Sequence, residues 1–274
     1  MRQPGFTPAA NNEDNQHAIG FYRDVLQVLN KSSLPFLVGG AYAFNCYSGI
    51  TRSTKDLDIF VRREDYDSVS ELLVQAGYTT ELVYPHWLGK VRSEDQFVDL
   101  IFSSGNGVAE VDDLWLEYAA EAEVLDVRAK LCPVEEMIWS KAFIMEKERF
   151  DGADIAHLIR SCGDQMDWDR LLRRFGSHWR VLLSHLALYG FVYPGHRDLV
   201  PAWVMDELLE RLRDETHTRP SENGVCFGTL LSREQYLMDI HQWGSRDARV
   251  APLGNMSAKD TAIWTQAIQD KNKD

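Results

Sequence analysis

Residues 34–60 read LPFLVGGAYAFNCYSGITRSTKDLDIF, and the order of residue types in this stretch decides the fold. Leu34-Pro35-Phe36-Leu37-Val38 is a short apolar run that reads as a buried strand, closed by Gly39-Gly40. Ala41 to Tyr47 reads as a helix stopped by Ser48-Gly49, and Asp56 to Val61 as a second strand. Two glycines between a strand and a helix let backbone amides come close to a ligand, and a helix N-terminus favours an anion such as phosphate. The same pair serves equally as a tight strand-to-helix turn. Asp56 and Asp58 stand two apart on a strand, so their carboxylates share one face while Leu57 and Ile59 take the other. Like charges on one face repel unless the edge is solvated or a cation sits between them. Mg²⁺, which takes oxygen ligands and phosphate partners, resolves that conflict.

Outward from this stretch, Phe97-Val98-Asp99-Leu100-Ile101-Phe102 carries a lone acid in an apolar strand, where an unpaired charge is costly. If that strand lies beside residues 56–61, Asp99 completes a three-acid metal site able to hold a triphosphate and a second ion that activates a hydroxyl. Arg52 either contacts phosphate or pairs with Asp56, and Thr54 either contacts the nucleotide or caps the turn before the strand. Lys141 falls inside an apolar stripe of Met137, Ile138, Ile144 and Met145 on a helix expected over 135–148; it either snorkels to water or meets an anion.

The expected organisation is a flexible lead over 1–16, an α/β core over 17–130, a helical domain over 131–215 and an irregular tail over 216–274 with one short helix at 234–243. Within the core the patterns predict helices at 17–30, 63–76 and 112–121. Strands are expected at 78–84 and 97–102, with a short one at 88–91 and a last one at 124–127. After Pro133 the helical segments are 135–148, 153–161, 168–175, 179–189 and 203–213. The fold class is therefore α+β: a mixed β-sheet flanked by helices, followed by an all-α C-terminal domain.

Composition bounds the rest. The chain of 274 residues is 45% hydrophobic and 26% charged, as globular proteins are, and carries a formal net charge of −13. That charge disfavours passive binding to nucleic acid or an anionic membrane. Arg170, Arg173, Arg174 and Arg180 form the best local basic cluster and read as solvated helix faces with acidic partners. The four cysteines, Cys46, Cys132, Cys162 and Cys226, contain no CxxC pair, and the N-terminus has no apolar signal region, so a cytoplasmic protein with reduced thiols is expected. GxSxG, HExxH and Walker lysine motifs are absent.

Gly-Gly after the first strand, Asp56-x-Asp58 on the next and the later single Asp99 together resemble the DNA polymerase β-like nucleotidyltransferase superfamily. The run Arg52-x-Thr54-x-Asp56-Leu57-Asp58 is most similar to AbiEii-type and related minimal bacterial nucleotidyltransferases, and the resemblance spans about residues 34–160. It implies a nucleotidyltransferase-like sheet and transfer of a nucleoside monophosphate from an NTP to an acceptor hydroxyl or phosphate, with release of pyrophosphate. Mg²⁺, or Mn²⁺ in its place, is the implied cofactor. By the resemblance Gly39 and Gly40 cradle the triphosphate, Asp56 and Asp58 bind metal, Asp99 is a metal ligand or base, and Lys141 contacts the triphosphate. Two alternatives remain: a non-catalytic NTP-sensing or partner-binding module, and a toxin–antitoxin-type enzyme acting on tRNA. The acidic balance favours a small-molecule acceptor over RNA or protein.

Overall fold

The structure, a computed structural model, describes residues 13–52, 54–220 and 223–271. The chain divides into two compact units, Met1–Pro133 and Val134–Asp274. As far as residue 12 the expected flexible lead lies outside the described residues, and from Glu13 the chain is already helical.

In the first unit, helix α1 (Glu13–Asn30) buries Tyr22, Val25, Leu26 and Leu29 at helical spacing. Strand β1 (Leu37–Val38) leads into α2 (Gly40–Ser48), and β2 (Leu57–Phe60) follows. Then come α3 (Tyr66–Gln75), the strands β3 (Thr79–Tyr84), β4 (Leu88–Ser93) and β5 (Gln96–Ile101), and α4 (Asp113–Glu117). Strands β6 (Ala120–Val124) and β7 (Val127–Leu131) close the unit. The seven strands form one mixed sheet in the order β3-β4-β5-β2-β1-β7-β6. In it β2 runs parallel to β5 and antiparallel to β1, while β7 runs parallel to β1. Leu57, Ile59, Val98 and Leu100, all fully buried, form the core side of the two central strands.

One part of this unit departs from the expectation. The helix predicted over 112–121 ends at Glu117, and the strand predicted over 124–127 is instead the turn of a hairpin formed by β6 and β7. Ala120-Glu121-Ala122-Glu123 consists of helix formers, which hides its strand character. The alternating burial of Val127, Ala129 and Leu131 on β7 recruits it as an edge partner, a tertiary demand that overrides propensity. Leu125 and Asp126 make the turn at φ 53° and 61°, the conformation of a tight hairpin, without the glycine that would have announced it.

The second unit is built of α5 (Val134–Ala142), α6 (Gly152–Cys162), α7 (Trp168–Phe175), α8 (Trp179–Val192) and α9 (Ala202–His217), with α5 packed against α6, α7 and α8. Its tail is more ordered than predicted. Strand β8 (Val225–Cys226) pairs in parallel with β9 (Arg246–Asp247), and between them lies α10 (Leu237–His241). A further helix, α11 (Ala258–Lys271), follows. The helix expected over 135–148 is shorter: α5 ends at Ala142, so Ile144 and Met145 do not continue the stripe around Lys141. The Met145 amide donates to the Leu231 carbonyl at 3.0 Å, and Met145 bridges Phe150. Tail residues thus take the backbone groups that another helical turn would have used. Among the described residues no helix is long and apolar enough to cross a membrane.

Candidate active site

Asp58 and Asp99 are direct register partners on the parallel strands β2 and β5, and Asp56 lies two residues before Asp58 on the same face. This adjacency brings one carboxylate oxygen from each of Asp56, Asp58 and Asp99 within 4.8 Å of one another, all three side chains being half-buried. The alternation that turns the acids to one face sends Leu57 and Ile59 into the core. Burial pushes the Asp99 carboxyl above the usual aspartate range and Asp56 adds to that, while the hydrogen bond and charge of Lys90 pull it back.

The double glycine is required by the protein's own packing. Gly40 opens α2 at φ +53°, and a Cβ there would lie 1.7 Å from Asp58 Oδ2. A Cβ on Gly39 would lie 2.3 Å from the Phe60 ring. The Gly39 amide donates to the Asp58 carbonyl at 2.9 Å, so the contribution of Gly39 is close approach rather than a free N–H. The cradle that these glycines keep open is also a fit for a metal. Three hard carboxylate oxygens this close together suit a divalent ion such as Mg²⁺ or Mn²⁺ rather than a soft-ligand metal.

The loop before β2 is tied to the triad. Thr54 Oγ1 donates to Asp56 Oδ1, which orients this carboxylate, and accepts from the Asp56 amide at 3.4 Å, the turn-capping contact. The Arg52 guanidinium lies over the Phe44 ring at 4.3 Å. Tyr22 of α1 donates from its hydroxyl to the Lys55 carbonyl at 2.8 Å and fastens the same loop. Its own ionisation is pushed up to about 12 by burial first and then by the carboxylates of Asp56, Asp99 and Asp58.

Two residues that sequence reasoning passed over therefore adjoin the triad: Tyr22 and Lys90. Lys90 pairs with Asp99 across the β4–β5 ladder, and its Nζ is 2.5 Å from Asp99 Oδ1. The signal was a two-residue turn, Glu94-Asp95, with Glu94 at φ 52°; counting back from it sets Lys90 opposite Asp99.

Lys141 belongs to the helical unit, where its Nζ lies 3.1 Å from Asp151 and 2.9 Å from Asp154. Asp154 thus orients a basic side chain. Arg149 also grips Asp151, and although burial raises that carboxyl, Arg149 and Lys141 together hold it below the usual range. The arginine cluster is not uniformly solvated as expected. Arg170 is 5% exposed and pairs with Glu135 and with Glu136, the latter at 3.1 Å, while Arg174 reaches Glu136 at 2.9 Å. Arg180, paired with Glu215, sits on an open face in the expected manner, and Arg173 is exposed as well.

Among solved structures the chain is similar to the antibiotic-resistance factor ANT(2'')-Ia, at 17% identity over 63% of this chain and 97% of that one, with a TM-score of 0.42. It is similar to the lincosamide antibiotic adenylyltransferase LnuA in its lincomycin-bound form, at 14% identity over 52% and 95%, with a TM-score of 0.35. A nucleotidyltransferase-like protein from Paracoccidioides brasiliensis gives 16% identity over 70% and 94%, with a TM-score of 0.42. No curated protein matches the chain. Residues 9–189 match the family described as uncharacterised nucleotidyltransferase. That stretch is well over half of the chain and holds the glycine turn and all three aspartates, so the protein belongs to this nucleotidyltransferase family.

Proposed function

We propose that the chain transfers a nucleoside monophosphate from an NTP to a hydroxyl or phosphate of a small-molecule acceptor, releasing pyrophosphate. The observation that carries this reading is the assembly of Asp56, Asp58 and Asp99 on adjacent parallel strands beneath a glycine turn. Asp56 and Asp58 would hold a divalent ion, Mg²⁺ or Mn²⁺, which when bound supplies charge neutralisation at the triphosphate. Thr54 fixes the Asp56 carboxylate so that it is already oriented when nucleotide arrives. Asp99, with its carboxyl held above the usual range by burial, would orient the acceptor and accept its proton. Gly39 and Gly40 give the phosphates close approach to the start of α2. Arg52 is assigned to phosphate contact beside this turn. Positioning and electrostatic stabilisation would supply most of the acceleration, as in phosphoryl transfer generally. The net charge of −13 supports a small acceptor over a polyanionic one.

The test incubates protein and Mg²⁺ with α-labelled and, separately, γ-labelled NTPs in cell extract, beside an Asp56→Asn/Asp58→Asn variant. Label transferred from the α position alone, and only by the intact triad, is the expected result, with a product of small-molecule size. Nucleotide binding without transfer would overturn the enzymatic reading in favour of a sensing module. A labelled RNA would overturn the acceptor class.

A further inference from the structure

Lys90 sits inside the acidic site without a part in the reaction so far described. Its ammonium is held from two sides on one hairpin: Nζ lies 2.5 Å from Asp99 Oδ1 and 3.7 Å from the centre of the Phe97 ring. Its side chain is 18% exposed and that of Asp99 14%, so water screens the pair only weakly. The position is set by register, Lys90 facing Asp99 directly across β4 and β5. A cation this close to one carboxylate of a three-acid cluster does part of what a metal ion would do there. Three carboxylates and one ammonium leave two negative charges, the complement of a single divalent ion.

We propose that Lys90 is the built-in counter-cation of this centre: it occupies the Asp99 corner, so that the resting site takes one divalent ion, on Asp56 and Asp58, and excludes a second. The inference rests on the metal-dependent reading above and deepens it by fixing the number of ions and the residue that sets it. Lys90 is a positioning residue here, acting through Asp99 rather than on substrate. Asp99 is thereby kept for the acceptor instead of being spent on metal, which divides the labour among three otherwise similar acids. Arg92, the next cation along β4, also lowers the Asp99 carboxyl, but its guanidinium pairs with Glu81 at 3.6 Å on an exposed part of the sheet. It therefore serves as a control for net charge alone.

Titration of the full-length, nucleotide-free protein with Mn²⁺, read by electron paramagnetic resonance, tests this without recourse to activity. Wild type should bind one ion, which Asp56→Asn abolishes. Lys90→Met should bind its first ion about tenfold more tightly and admit a second, because one opposing charge next to the site has been removed. Lys90→Arg should restore wild-type behaviour, and Arg92→Met should shift the first constant by less than about twofold. A residue that merely braces the hairpin would weaken metal binding when replaced, not strengthen it. Should Lys90→Met fail to fold, Lys90→Gln, which keeps a donor toward Asp99 without the charge, carries the same expectation. Unchanged or weaker binding in a folded, charge-free variant overturns the role of Lys90 and leaves the metal site standing. Two ions in wild type do the same. Absence of any Mn²⁺ that Asp56→Asn removes overturns the metal-site reading itself, and this inference with it.

Discussion

At the scale of single residues, the site depends on what is missing at Gly40 as much as on the acids present. An L-residue at φ +53° costs roughly 1–2 kcal/mol, and here its Cβ would also displace the Asp58 carboxylate. Gly40→Ala should therefore lower the thermal midpoint modestly and reduce nucleotidyl transfer by at least about a hundredfold, since about 1 Å of misplacement at a reacting centre is that costly. Transfer assays and melting curves on the same preparation check both halves. A variant with normal activity would show that the cradle around Asp58 has more room than its geometry implies. Thr54 and Tyr22 matter differently: each fastens the loop that carries Asp56, so their influence on chemistry passes through backbone and carboxylate orientation.

At the scale of elements, α5 and α7 are joined by a buried ionic network in which Arg170 is shared by Glu135 and Glu136, 4% and 0% exposed. Burial pushes the Glu136 carboxyl up, against the pull of Arg170 and Arg174. Replacing the shared partner, as in Arg170→Met, leaves two carboxylates buried without it and should cost about 3–5 kcal/mol. The exposed pair of Arg180 and Glu215 provides the contrast, and Arg180→Met should cost at most about 1 kcal/mol. Urea denaturation midpoints of the two variants measure the difference directly. Both arginines come from one basic cluster of sequence, and helical spacing alone does not separate them. Arg170 lies on the face that α7 turns toward α5, and only the packing of those helices makes it an interior charge.

For the whole molecule, pH acts on stability through groups of opposite sign. His185, 3% exposed with Nε2 2.9 Å from the Ala142 carbonyl, is held by burial below its ordinary value of 6.5, as is His178. A lowered histidine means that the unfolded chain binds more protons, so its stability is complete above pH 6.5 and is lost as pH falls through the folded-state value. In Asp151 and Asp247 burial is outweighed by Arg149 with Lys141 and by Arg249, respectively. The resulting depression keeps their contribution complete above pH 3.8, and it is lost as pH falls through the folded-state values. Asp99 and Glu136, raised by burial, work in the reverse sense: the stability they favour belongs to low pH and is lost as pH rises through their folded-state values. From about pH 7.5 down to pH 5.5 the buried His178 and His185 lose their contribution, so the melting temperature should fall over that interval. His185→Gln should flatten the decline, which a thermal scan across buffers reads out.

What the sequence determined by itself was the local grammar of the site. The strand, Gly39-Gly40, the helix, Asp56-x-Asp58 and the lone Asp99 are all legible because side-chain direction alternates along a strand and glycine marks a turn or close approach. The faces of α1, α6 and α7 were legible for the same reason, since helical period depends only on neighbours in the chain. Tertiary structure decided which strand lies beside which. Asp58 faces Asp99 because β2 and β5 are parallel partners, and Lys90 reaches Asp99 through the register of β4 with β5. Helix-forming Ala120-Glu121-Ala122-Glu123 became an edge strand because β7 needed a partner, and α5 stopped at Ala142 because the tail supplied other hydrogen bonds. Periodicity tells a residue which way to face; what it meets there is set by packing and register between segments far apart in the chain.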